Sequence, residues 1–186
     1  FKKAAENAKA AGFDGVEIHG ANGYLLDEFL RDGANKRTGP YGGPVENRAR
    51  LLLEVLAAAC GVWGADRVGV RISPLNSYNS MRDSDPVGLS TWLAERLNSF
   101  GLAYLHLMRA DFLGEQSGDV VTPVRAAYKG VLVGNMGYTP ESGAQAVADD
   151  SLDAVAFGTS FLANPDLPGR IELGAALNAP NPPTFY

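Results

Sequence analysis

Cysteine is nearly missing from this chain: Cys60 is the only one among 186 residues. A single thiol excludes an intrachain disulfide and any cluster held by several cysteines, iron–sulfur clusters included. Histidine is almost as scarce, with His19 and His106 the only two. Neither has carboxylate or cysteine neighbours at metal-ligand spacing, so no metal is expected. Basic residues are outnumbered, 16 Lys and Arg against 21 Asp and Glu, which gives a net charge of −5. That balance argues against a nucleic-acid surface, which would show clustered Lys and Arg. No apolar run reaches the length of a membrane span, and no signal-peptide pattern opens the chain. The glycine-rich segments spell neither a dinucleotide fingerprint nor a P-loop. The expectation is a soluble protein of a reducing, cytoplasmic setting, with no nucleic-acid or membrane partner.

What is there is ordinary in bulk: 46% hydrophobic and 20% charged residues, the balance of a soluble globular domain. The length suffices for one domain with a sizeable core. The chain opens on Phe1, without Met, inside a stretch rich in Ala, Lys and Glu that reads as a helix over 1–11. The expectation is therefore a piece of something longer.

One stretch stands out, Gly15-Val16-Glu17-Ile18-His19-Gly20-Ala21-Asn22-Gly23-Tyr24-Leu25-Leu26. β-Branched Val16 and Ile18 read as a strand, and Gly20 and Gly23 let the backbone bend at its end. His19, Asn22 and Tyr24 are thereby delivered to one place. His19 and Asn22 can donate hydrogen bonds, and Tyr24 carries a phenol that can give up a proton. Two donors beside an acid suit a substrate whose carbonyl or nitro oxygen is polarised before protonation. Taken alone, a histidine after a strand reads as a structural residue, and Tyr24 as a core aromatic.

Beyond it, strands and helices alternate. Residues 31–44 form a long excursion, of a length that is usually functional. Val45 to Cys60 reads as one helix, with Val45, Ala49, Leu52, Leu53, Leu56 and Cys60 on one face, Pro44 at its start and Gly61 beyond its end. Val68 to Ile72 is a buried strand interrupted by Arg71, a side chain that needs an anionic or carbonyl partner; an internal pair with Glu17 is one candidate. Asp85-Pro86 and Thr139-Pro140 open helices. Leu102–Leu107, Gly130–Val133 and Ala154–Phe157 are the remaining strands, and 108–118 is a polar loop. Val120 to Tyr128 reads as a short helix, and Gly158-Thr159-Ser160 leads into the last helical stretch.

Continuous apolar strands separated by helices mean a parallel sheet covered by helices, either doubly wound or a barrel. The polar residues at strand ends, His19, Arg71, the loop after His106, Asn135 and Thr159, lean toward a barrel, whose C-terminal face carries the active site.

The segment from Glu17 to Leu26 resembles the active-site stretch of the old yellow enzyme family, FMN-dependent ene-reductases. The resemblance continues through Arg37-Thr38, Tyr41-Gly42-Gly43, Glu46-Asn47-Arg48, Val70-Arg71-Ile72-Ser73-Pro74, Asn164-Pro165-Asp166-Leu167 and Thr184-Phe185-Tyr186, so it covers essentially the whole chain. It implies an α/β fold, the TIM (β/α)8 barrel, of which residues 1–186 supply strands four to eight as one FMN-binding domain without its first three strands. Unpaired strand edges would favour association, so a homo-oligomer is possible.

The chemistry it implies is reduction of an activated C=C bond of an enone or enal, or of a nitro or nitrate ester group. FMN takes electrons from NAD(P)H and passes hydride from N5 to the substrate. His19 and Asn22 hold the substrate oxygen, Tyr24 gives the proton, and Tyr186 lines the substrate site. Arg71 faces the flavin pyrimidine, Phe185 lies beside its dimethylbenzene ring, and Gly134, Asn135, Gly158 and Thr159 surround its phosphate. Two departures stand out: Thr159 replaces the family's usual arginine, and Gly39 its usual aspartate. A hydroxyl cannot neutralise a phosphate or bind it bidentately. Two other readings stay open, a non-catalytic fragment with weak or no FMN binding and another FMN barrel such as an α-hydroxy-acid oxidase.

Overall fold

The computed structural model describes residues 1–185. Five parallel strands form one sheet in the order in which the chain makes them. They are β1 (Val16–Gly20), β2 (Val68–Ile72), β3 (Tyr104–Met108), β4 (Leu132–Asn135) and β5 (Ala154–Ala156). The register sets His19 beside Arg71, Arg71 beside His106, and Met108 beside Asn135.

This strand order decides between the two architectures left open by the sequence. A doubly wound sheet reverses direction at a switch point. Here every step goes the same way, and right-handed crossovers then place all connecting helices on one face. That is the arc of a barrel. Ile18, Val70, Leu105, Leu107 and Leu132 point into the helix layer and belong to the core. The alternating set, Glu17, His19, Arg71, Tyr104, His106 and Asn135, lies on the concave face. Gly69 belongs to the same face for a steric reason: a Cβ there would lie 2.4 Å from the Tyr104 ring.

The helices that cover the sheet start largely where local chemistry says. In the helix Pro86–Leu97 the Asp85 carboxylate accepts from Gly88 N at 2.8 Å. In the helix Pro140–Ala148 Thr139 and Ser142 cap each other's backbone amides. The Val45–Cys60 stretch differs from expectation at both ends. It forms two helices, Val45–Arg48 and Arg50–Trp63, joined at Ala49, and the second runs through Gly61. Its end comes at Gly64, whose φ of +85° suits glycine alone. The extra turn is held by Trp63, which donates to Ala5 O at 3.0 Å, and by Lys9, which donates to Val62 O at 2.6 Å. Two strands also begin later than their apolar runs, at Tyr104 and Leu132.

Among the described residues no helix is long and apolar enough to cross a membrane.

Candidate active site

The turn after β1 adopts a shape that only its own residues tolerate well. Asn22 has φ +57° and Gly23 φ +70°, left-handed values that Asn and Gly visit at least cost. A side chain at 23 would meet Asn79 Cβ at 2.6 Å. Asn22 is fixed from three sides: its N–H donates to Ser73 Oγ at 2.8 Å, its carbonyl accepts from Asn79 at 3.1 Å, and its Oδ1 accepts from Asn76 Nδ2 at 2.8 Å. With Oδ1 engaged, Nδ2 is the end left for a ligand. Tyr24 follows as the residue before the helix Leu25–Leu30, with its ring 5.4 Å from that of His19. Burial and the nearby Arg71 charge lower the His19 pKa, so the neutral imidazole, with one N–H to donate, prevails at pH 7.

Asp27 closes the turn, accepting from Gly23 N at 2.9 Å. Its carboxyl is pushed up to about 6 by burial, against the opposing pull of Arg31. Arg31 itself is wholly buried and donates to the carbonyls of Ser73, Pro74 and Asn76. It thereby holds the segment that holds Asn22. In the sequence Arg31 is merely the first residue of the excursion, and nothing near it signals this duty.

Arg71 has the partner it needs, though not Glu17. Its Nη2 donates to Asn135 Oδ1 at 2.8 Å, and Asn135 Nδ2 donates on to Ala156 O at 2.8 Å. Glu17 instead lies 2.9 Å from His106 Nδ1. Burial raises the Glu17 pKa, but the His106 contact, the Tyr104 hydroxyl and the Arg71 charge together bring it below the ordinary carboxylate value. Burial and the Glu17 charge push Tyr104 up to about 12. Although Nδ1 of His106 is paired, its Nε2 is buried without a partner, as is Nε of Arg71.

A cavity of about 470 Å³ opens over this face at the strand ends. Asn22, Arg71, Asn135, Gly158 and Thr159 line it, joined by Met136, Gly137 and Tyr138 from the turn after β4. His19 and Tyr24, whose rings lie 5.4 Å apart, flank Asn22 in sequence but are not part of the cavity wall. Gly134 is not brought in: it lies within β4 facing the helix layer, where a Cβ would be 2.3 Å from Leu152, so its lack of a side chain serves packing. Phe185, in the tail after a short turn at Pro182–Thr184, is not part of the cavity wall. Tyr186 lies outside the described residues. Phe112, in the 108–118 loop, lines the cavity and had no signal in the sequence.

The arrangement offers a half-buried guanidinium, the turn after β4 on the same cavity, and two donors beside a phenol. An aromatic ring system with acceptor edges and an attached phosphate fits that donor set. Among the described residues no three potential ligands gather to hold a metal.

Residues 1–178 match the model of the NADH:flavin oxidoreductase / NADH oxidase family. A probable flavin mononucleotide-dependent alkene reductase of Leishmania infantum is 50% identical over the whole chain, which covers 51% of that relative. The 12-oxophytodienoate reductase 2 of Arabidopsis thaliana is 46% identical, again over the whole chain and 51% of its own length. The old yellow enzyme from Trypanosoma cruzi superposes with a TM-score of 0.94 at 47% identity, over 97% of this chain and 48% of that one. Morphinone reductase superposes at 0.95 and 44% identity, over 100% and 50%. The chain thus spans about half the length of the relatives it matches.

Proposed function

We propose, from the premise that this chain belongs to the NADH:flavin oxidoreductase / NADH oxidase family, that it carries the substrate-activating half of an FMN-dependent ene-reductase driven by NAD(P)H. The observation that carries this reading is the half-buried Arg71 guanidinium, which lines the 470 Å³ cavity and is tied to Asn135. A guanidinium drawn out of water needs an anionic or carbonyl partner, and a flavin edge with its carbonyl and ring nitrogen would be one. Asn135 would keep the guanidinium in place, and the Met136–Tyr138 turn with Thr159 would face the phosphate.

Bound FMN supplies hydride to an activated C=C bond. The residues of this chain do the rest. His19 and Asn22 donate to the oxygen of an enone, enal or nitro group and so draw electron density away from the neighbouring double bond. The Tyr24 hydroxyl, 5.4 Å ring to ring from His19, then delivers the proton. Neutral His19 donates without adding a full charge, so the substrate oxygen is polarised rather than ion-paired.

Thr159, where the family usually has an arginine, favours a second reading, a barrel segment that binds FMN weakly and does not turn over. The visible spectrum of the purified protein after addition of FMN and desalting separates the two. Retained flavin with shifted, structured bands is expected, followed by enone-dependent oxidation of NADPH or NADH. A colourless protein would leave only the second.

A further inference from the structure

The turn after β4 lines the cavity, and it is braced by a side chain that does not. Met136 and Gly137 both have left-handed backbones, φ +76° and +72°. Their carbonyls accept from a single side chain. Arg109, the residue after β3, donates from Nε to Met136 O at 3.0 Å and from Nη2 to Gly137 O at 2.8 Å. Its guanidinium stacks 3.8 Å over the Tyr138 ring, and its own N–H donates to Asn135 O at 3.1 Å. Arg109 is not part of the cavity wall; the turn stands between the two.

All peptide bonds are trans, and in a planar trans peptide the N–H points opposite to the C=O. With the carbonyls of 136 and 137 gathered on one guanidinium, the N–H groups of Gly137 and Tyr138 point the other way, and both residues line the cavity. Neither has an acceptor among the described residues. The positive charge behind them also polarises both peptides in the sense that favours an anion in front.

We infer that Arg109 is a positioning residue for the phosphate end of the cofactor: it aims the Gly137 and Tyr138 amides at the phosphate in a chain whose residue 159 is threonine. A direct arginine contact is thus replaced by two main-chain donors held by an arginine one layer back. This rests on the FMN reading of the cavity.

Riboflavin, which is FMN without the phosphate, isolates the effect. Wild-type protein, Arg109→Ala and Arg109→Lys are titrated with both flavins by fluorescence quenching, and amide exchange is followed at 136–138 without flavin. Arg109→Ala is expected to weaken FMN binding by about tenfold or more, the worth of charge-supported hydrogen bonds, and to leave riboflavin unchanged. Exchange at 137 and 138 should quicken. Arg109→Lys keeps the charge but not the fork, so it should recover only part of the FMN preference, and it carries the test should the alanine variant not fold. Equal losses for both flavins, or an unchanged ratio in a wild type that prefers FMN, would overturn the role of Arg109 alone. A wild type that binds neither flavin would overturn the reading of the cavity, and this inference with it.

Discussion

The side-chain amide of Asn76 donates to Oδ1 of Asn22 at 2.8 Å, across 54 positions of sequence. Asn76 is fully buried and sits in the segment clamped by Arg31. The contact decides which end of the Asn22 amide can meet a substrate oxygen, because a carbonyl facing another carbonyl would repel it. Asn76→Ala frees the amide to turn. Enone reduction should fall by about tenfold to a hundredfold in kcat/KM, the worth of one aimed donor, with FMN affinity retained. Steady-state kinetics with an enone, beside a flavin titration, checks both halves; unchanged kcat/KM would show that Asn22 needs no such partner.

Tyr24 lies outside the cavity wall but against His19, and in the proposed function its phenol gives the proton and has no part in flavin reduction. Tyr24→Phe should therefore slow alkene reduction by about a hundredfold or more, within the range of general acid catalysis. Flavin reduction by NADPH or NADH should be nearly unaffected. Stopped-flow traces of the two half-reactions distinguish them, and equal loss in both would mean that the proton comes from elsewhere.

How much of this could be read from residues alone follows from the range of the forces involved. The starts of the helices Pro86–Leu97 and Pro140–Ala148 were legible because Asp85, Thr139 and their prolines act within one turn. The motif from His19 to Tyr24 was legible because its glycines and donors are neighbours in sequence. Strand starts were not, since an apolar run such as Leu102–Leu107 does not record where pairing begins, and pairing begins at Tyr104. Gly61 looked like a helix end because glycine usually is one; contacts from Ala5 and Lys9, more than fifty residues away, carried the helix past it. Arg31, Asn76 and Arg109 act on backbone groups or side chains of distant segments, and no local pattern announces that.

Thr159 lines the cavity with Gly158, Gly137 and Tyr138, and in the proposed reading all of them serve the phosphate end of FMN. A hydroxyl contributes a neutral hydrogen bond, whereas a guanidinium adds charge and a second donor. Thr159→Arg should tighten FMN binding by about tenfold and do little for riboflavin. Isothermal titration with each flavin tests this. An unchanged FMN dissociation constant would show that the main-chain donors already saturate the phosphate.

Asp111 shapes the loop that brings Phe112 to the cavity. Its carboxylate accepts from Ser77 Oγ at 2.6 Å, Ser77 N at 3.1 Å, Leu113 N at 3.1 Å, Glu115 N at 2.9 Å and Gln116 N at 3.1 Å. Burial pushes its pKa up, but these donors outweigh it and bring the group to about 2. A folded-state pKa below the unfolded value means that ionised Asp111 stabilises the fold above about pH 4, and that this contribution fades as pH falls toward 2. Asp111→Asn keeps the shape and loses the charge, and its NH2 group would face amide donors. The variant should be less stable by about 1–3 kcal/mol at pH 7, and the deficit should shrink between pH 4 and pH 2. Urea unfolding of both proteins across that range measures it. A deficit independent of pH would mean that the loop depends on the shape of the side chain at 111 and not on its charge.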